Sequence, residues 1–220
     1  VAGSGTVEPV SLQSLLAEVH PAWFADPSAH GFDDALIARA RTTPLGRRLL
    51  VRSLPQDLLD GLLAPRPGEP AYVAVPRRWP RARVAALVRD LGVLAYAPLI
   101  RAEVRREPVR WLRATLGNSY LLALDRTVWD GRFDAATRAR LSSQWEALLA
   151  EPTFGSDPAP LGRLLDRQGQ AELQAWAGRR NRALADWARL LHPPADPLPT
   201  HVPEKAVLVV ASHHEDRDAD

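Results

Sequence analysis

The sequence predicts an all-α fold for these 220 residues: a single compact multi-helix domain with a proline-rich connector and room for one minor β element. Three observations predict it. Apolar residues recur at helical spacing, as in Val84, Leu87, Val88 and Leu91 and again in Val109, Leu112 and Leu116. Helix-start signals recur too, at Thr43-Pro44, Asp134 and Asp157-Pro158. The 46% hydrophobic content is sufficient for a sizeable core, while no apolar run approaches the roughly 20 residues that span a bilayer.

Residues 1–10 are small and turn-prone and read as a flexible lead-in. The helical domain then runs over residues 11–192. In its N-terminal part, 11–63, Ser11 is an N-cap for a short helix with Leu12, Leu15, Leu16 and Val19 on one face, stopped by Pro21. Trp23 and Phe24 would anchor the following turn. Phe32 to Arg41 reads as a second helix, Thr43-Pro44 opens a third, and Ser53-Leu54-Pro55-Gln56 starts another that ends near Leu63. Residues 64–80 form the connector, with Pro65, Pro67, Pro70, Pro76 and Pro80 fixing the backbone and removing amide donors. Within it, Ala71 to Val75 could form a short edge strand.

The main helical body, 81–192, is expected to contain helices near 81–95, 98–106, 108–127 and 135–150. Asp134 would cap the last of these, with Leu141, Trp145, Leu148 and Leu149 facing inward. A final helical region begins at Asp157-Pro158, with Gly169 and Gly178 as candidate interruptions and Pro193 as its end. Residues 193–220 read as a proline-rich linker and an acidic tail. In that tail Ala206 to Ala211 (AVLVVA) is β-prone and could pair with an edge.

Charge is unevenly distributed although the net is only +2. Residues 1–34 carry −5, residues 35–203 carry +10 and residues 204–220 carry −3. A basic body between acidic ends suits acidic ends that fold back on it, an acidic protein partner, or nucleic acid. The bases are 27 Arg and one Lys, a bias that genome composition explains as readily as phosphate binding. With no cysteine, disulfides, thiol catalysis and thiolate metal sites are excluded, in keeping with a reducing compartment. No secretory signal pattern is expected at the N-terminus. With no methionine anywhere, Val1 reads as an alternative start or the first residue of a trimmed chain.

No residue set marks a reaction, so no catalytic residue, cofactor or metal site is expected. His213-His214-Glu215-Asp216 offers metal-capable groups but no fixed second group. Gly3-Ser4-Gly5-Thr6 lacks the Lys-Ser/Thr and preceding strand of a phosphate loop. Asp33-Asp34 and Asp125/Asp130 read as capping or solvated carboxylates, and His192 as a cap on helix-end carbonyls. Trp111, Trp145, Trp176 and Trp187 fall on apolar stripes and are expected in the core. Between Arg77 and Arg113 there are ten arginines against Asp90, Glu103 and Glu107. From these, Arg101, Arg105, Arg106, Arg110 and Arg113, with Trp79 in the connector, form the candidate partner-binding set. Trp and Arg are enriched at protein hot spots; the bland readings are a solvated helix face and a Trp that pins the connector.

The run Leu91-Gly92-Val93-Leu94, then Leu99-Ile100-Arg101, Glu107-Pro108, Leu112 and Leu116-Gly117, resembles the middle of the SctK/YscK family, with its Hrp-type relatives. His20-Pro21-Ala22-Trp23-Phe24 is similar to that family's aromatic, proline-containing opening. The resemblance implies a non-catalytic cytosolic adaptor of the bacterial type III secretion sorting platform, peripheral to the inner membrane. Its implied partners are the cytosolic domain of the inner-membrane ring, the C-ring-like pod protein and, through a stator, the ATPase. An arginine-rich helical nucleic-acid-binding protein is the alternative reading.

Overall fold

The computed structural model describes residues 12–24, 33–63 and 75–216. In chain order the helices are α1 (Leu12–Glu18), α2 (Asp34–Thr42), α3 (Pro44–Ser53), α4 (Gln56–Leu63), α5 (Val75–Arg78), α6 (Arg81–Ala95) and α7 (Ala97–Ala102). They continue with α8 (Arg106–Leu116), α9 (Ser119–Leu124), α10 (Ala135–Leu149), α11 (Ala159–Arg180), α12 (Arg182–Leu190) and α13 (Glu204–Asp216). A 3-10 turn, Pro21–Trp23, follows α1. Among the described residues every regular element is helical, so the fold is all-α. None of these helices is long and apolar enough to cross a membrane.

The chain divides into two units, each assembled from separated stretches. One comprises residues up to Arg81 together with Ala177–Asp196; the other comprises Ala82–Trp176 with Pro197–Asp220. The boundary near residue 81 coincides with the end of the connector. The second crossing does not follow the sequence expectation, because α12 joins the N-terminal helices and α13 joins the main body.

In the first unit, local capping sets the corners. Asp33 accepts the Leu36 amide at 2.6 Å to start α2, and Thr43 Oγ1 accepts the Gly46 amide at 3.1 Å to start α3. A Cβ at Gly46 would collide with the Ala40 carbonyl, so this α2–α3 corner requires glycine. Helix α12 packs against α4 and α5. Three side-chain donors then pin distant backbone. Trp23 Nε1 donates to the carbonyls of His192 (2.8 Å) and Arg189 (3.2 Å) at the end of α12. These carbonyls lie at the helix end, where the ladder of backbone hydrogen bonds runs out. Trp187 Nε1 donates to the Trp79 carbonyl at 2.8 Å, and Arg41 Nη2 to that of Val19 at 2.6 Å. His192 Nδ1 meets the Ala188 carbonyl at 2.8 Å, the helix-end contact expected of it.

In the second unit, α6 and α11 cross with their backbones in contact. A Cβ on Gly92 would fall inside the Leu165 carbonyl, and one on Gly169 inside the Val88 carbonyl. Around this crossing the core collects Tyr96, Ile100, Leu112, Leu116, Tyr120, Leu141, Trp145, Leu148, Leu161 and Leu165. Helix α7 packs on α9 and α10. Asp134 accepts the Thr137 amide at 2.7 Å and begins α10 as expected.

Three sequence expectations need correction. Ala206–Ala211 is not a strand: it lies within α13, with Ala206, Val207, Val210, Ala211 and His214 buried and Lys205, Leu208, Val209, Ser212 and His213 exposed. That alternation has the helical period, and tertiary burial overrides the β preference of the valines. Neither Gly169 nor Gly178 interrupts α11; the break comes at Asn181, whose side chain caps α12 through the Leu184 amide at 3.2 Å. The span expected as one helix, 108–127, is broken at Gly117, which has φ +53° and separates α8 from α9. Of the Ala71–Val75 expectation only Val75 is described, and it begins α5. The Ser11 cap, the lead-in and residues 217–220 lie outside the described residues.

Candidate functional site

The candidate arginines separate by what their side chains do. Arg101, on α7, donates from Nε to the Ala123 carbonyl at 2.6 Å, from Nη1 to Asp130 at 3.1 Å and from Nη2 to Trp129 at 3.0 Å. It therefore terminates α9 and ties down the loop that follows, and burial lowers its pKa from the ordinary arginine value. Arg101→Ala should cost about 1–3 kcal/mol, since charged hydrogen bonds to three backbone carbonyls, two of them part-buried, are lost. Thermal melts and amide exchange across residues 123–131 would measure this, and unchanged exchange there would contradict the assignment. Arg105, at the N-cap position of α8, is bridged to Glu103 at 2.5 Å, and that bond holds the Glu103 carboxyl below its usual range.

Arg106, Arg110 and Arg113 form an exposed stripe on α8 at i, i+4 and i+7, opposite the buried Leu112 and Leu116. The Arg113 guanidinium lies 5.4 Å from the centre of the Tyr120 ring. Among the described residues, no carboxylate lies within ion-pair distance of Arg106 or Arg110. Beside the stripe is an open cavity of about 540 Å³ lined by Glu107, Pro108, Arg110, Trp111, Ala114, Phe154, Gly155 and Ser156. Trp111 and Phe154 meet there with ring centres 4.5 Å apart. Trp111 is thus half-buried at a cavity wall rather than closed inside the core.

Trp79 belongs to the first unit and is only 3% exposed. Its side chain is therefore not on the surface that the candidate arginines share, and its carbonyl accepts from Trp187 Nε1. The carboxylates also have structural uses. Asp125 accepts from the Thr127 amide and hydroxyl at 2.8 and 2.6 Å, and Asp130 from the Arg132 amide at 3.2 Å.

Two polar clusters in the second unit were not legible as clusters in the sequence. In the first, Ser119 Oγ donates to Asp90 Oδ1 at 2.5 Å and His214 Nε2 meets Asp90 Oδ2 at 2.8 Å. A cavity of about 440 Å³ adjoins them, with Asn118, Leu122, Val128, Val209, Val210 and His213 in its walls. The residue types are those of a serine hydrolase but the order is not. The serine hydroxyl is directed at the carboxylate, not at a base nitrogen, so this contact does not activate it as a nucleophile. Its evident role is to join α6, α9 and α13.

The second cluster is buried. Glu172 Oε1 accepts from Gln168 Nε2 at 2.9 Å and the His201 amide at 3.0 Å, and Oε2 from the Val202 amide at 3.2 Å. Gln168 Nε2 also donates to the Pro199 carbonyl at 3.1 Å. Arg140 bridges Gln168 and the same carbonyl at 3.1 and 3.3 Å. His201 packs against both Trp129 and Phe133, which also meet each other, with Nε2 at 3.1 Å from the Ala95 carbonyl and Nδ1 at 3.3 Å from Glu172 Oε1. Burial raises the Glu172 pKa and lowers that of His201. Among the described residues no group of three or more His, Asp or Glu side chains is placed to hold a metal ion.

Protein-family models, curated proteins and solved structures were each compared with the chain. None matched. The family resemblance of residues 91–117 rests on the residues that carry it.

Proposed function

We propose that this chain is a non-catalytic cytosolic adaptor of the bacterial type III secretion sorting platform. In this role it links the inner-membrane ring to the C-ring-like pod protein and the ATPase complex. The observation that supports docking is the α8 stripe, where Arg106 and Arg110 stand exposed without a described carboxylate partner. Of the candidate arginines, Arg101 and Arg105 are engaged within the fold and Arg113 lies over the Tyr120 ring, whereas Arg106 and Arg110 are available to a partner. The pattern from Leu91 to Gly117 supports the choice of machine.

A clean deletion strain tests the role. Secretion should be abolished, restored by the intact chain, and not restored by a double variant, Arg106→Glu with Arg110→Glu, of unchanged helical content. Co-purification with the ring domain or the pod protein should fall in parallel. Normal secretion without the chain would overturn the proposal. A pull-down at two salt concentrations distinguishes the nucleic-acid alternative, which requires steeply salt-dependent retention of DNA or RNA.

A further inference from the structure

The cavity beside α8 has a chemistry of its own, and from it we infer the kind of partner segment that docks there. We propose that the Trp111–Phe154 groove seats one apolar side chain of an acidic protein segment, with flanking carboxylates of that segment pairing with Arg106 and Arg110. The inference deepens the adaptor reading by specifying what its docking face recognises.

Size and lining support an anchored side chain. At about 540 Å³ the groove lies within the range of sites that enclose a bound group. Trp111 and Phe154, packed on each other, supply an apolar wall, and the small residues Ala114 and Gly155 leave room beside it. Hot spots of this kind combine a pocket for an apolar anchor with arginines around it.

Charge selects the sign of the flanks. Arg106 and Arg110 are one helical turn apart, an arrangement in which like charges repel. Glu107 is the one acidic side chain of the lining. Carboxylates brought by a partner would relieve the repulsion and could form bidentate pairs with the guanidinium groups.

The same details disfavour a nucleic acid. Stacking of a base needs an open aromatic face, and Phe154 already packs against the Trp111 ring. Of the nearby bases, Arg105 is neutralised by Glu103 and Arg101 is committed to three carbonyls.

The test uses the full chain and short fluorescent peptides, read by anisotropy at about 0.1 M salt, where charges within roughly 10 Å still interact. One peptide has a central leucine among aspartates and glutamates. A second replaces the leucine with serine, and a third replaces the acids with lysines. A labelled single-stranded oligonucleotide is the fourth probe. The acidic leucine peptide should bind saturably. The serine peptide should bind about tenfold or more weakly, the loss expected for an unburied anchor, and the lysine peptide should not bind. Ala114→Arg decides between anchoring and simple attraction, because Ala114 is exposed, lines the groove, and gains a positive charge on substitution. Its affinity for the acidic leucine peptide should fall about tenfold despite that charge, with the circular dichroism unchanged.

Tighter binding by Ala114→Arg, equal binding of the serine peptide, no saturable binding of the acidic leucine peptide, or preference for the oligonucleotide would each overturn the proposal. Any of these with a secretion-defective deletion strain would leave the adaptor role standing without this groove. A groove that behaves as proposed in a chain dispensable for secretion would retain the inference and remove the machine.

Discussion

Gly169→Ala should destabilise the protein by about 3 kcal/mol or more and lower its melting temperature by roughly 6–12 °C. An alanine in the interior of an ordinary helix gains about 1 kcal/mol over glycine, so the sign is itself diagnostic. At Gly169 the added methyl would occupy the place of the Val88 carbonyl and press on the Gly92 amide. Neither obstacle is a side chain that can rotate away, so α6 and α11 would have to separate and the core around Leu161 and Leu165 would open. Gly92→Ala should act in the same direction through the Leu165 carbonyl. Gly178→Ala is the control: nothing lies within 4 Å of its added carbon, so it should be neutral or slightly stabilising. Thermal melts of the three variants decide the matter. Equal melting temperatures for Gly169→Ala and Gly178→Ala would refute the close crossing.

The second large effect is expected at Glu172. Glu172→Ala removes the acceptor of the His201 and Val202 amides from a buried site. Unpaired buried donors cost about 1–3 kcal/mol each, so a loss of about 2–5 kcal/mol follows. Amide exchange at residues 201 and 202 should accelerate, and the segment leading into α13 should loosen. Glu172→Gln retains one acceptor oxygen but sets an NH2 group against a buried amide donor, at a cost of about 1–3 kcal/mol, and it reveals a pH dependence. The raised Glu172 pKa contributes stability below the unfolded value of 4.5, lost as pH rises through the folded value. The lowered His201 pKa contributes stability above 6.5, lost as pH falls through the folded value. On acidification the histidine contribution falls below pH 6.5, while the carboxyl contribution grows towards pH 4.5, so the two act in opposite directions. Glu172→Gln retains only the histidine contribution and should lose stability relative to the parent on acidification, whereas His201→Gln should gain it. Parallel pH profiles for the two variants would show that the pair does not titrate as described.

Several elements are legible from local signals alone. The pattern around Val84, Leu87, Val88 and Leu91 locates α6 because its buried stripe is continuous, and Asp134 locates the start of α10 because capping depends on neighbours a few residues away. What was not legible depends on distant partners. Six apolar residues, Ala206 to Ala211, do not separate strand from helix; the period emerges only when the window reaches His214. Gly169 has the composition of a helix breaker and the role of a contact point, which only the approach of Val88 reveals. In the candidate site, Arg106, Arg110 and Arg113 were legible as an exposed stripe. Phe154 was not, since its meeting with Trp111 joins residues far apart in the chain. Arg101 looked no different from its neighbours until its three carbonyl partners were in place.

The discontinuous build of the two units has a consequence for biosynthesis. The first unit lacks α12 until Ala177–Asp196 has been made, and Trp23 has no helix end to cap before then. At about 5–20 residues per second, translation of the intervening stretch takes roughly 5–20 s. Throughout that interval the apolar surfaces of α4 and α5 that receive α12 are uncovered on the nascent chain. The second unit waits in turn for α13. Each unit therefore closes only after a distant stretch of sequence has been made, and its early helices spend that interval without the partner that covers them.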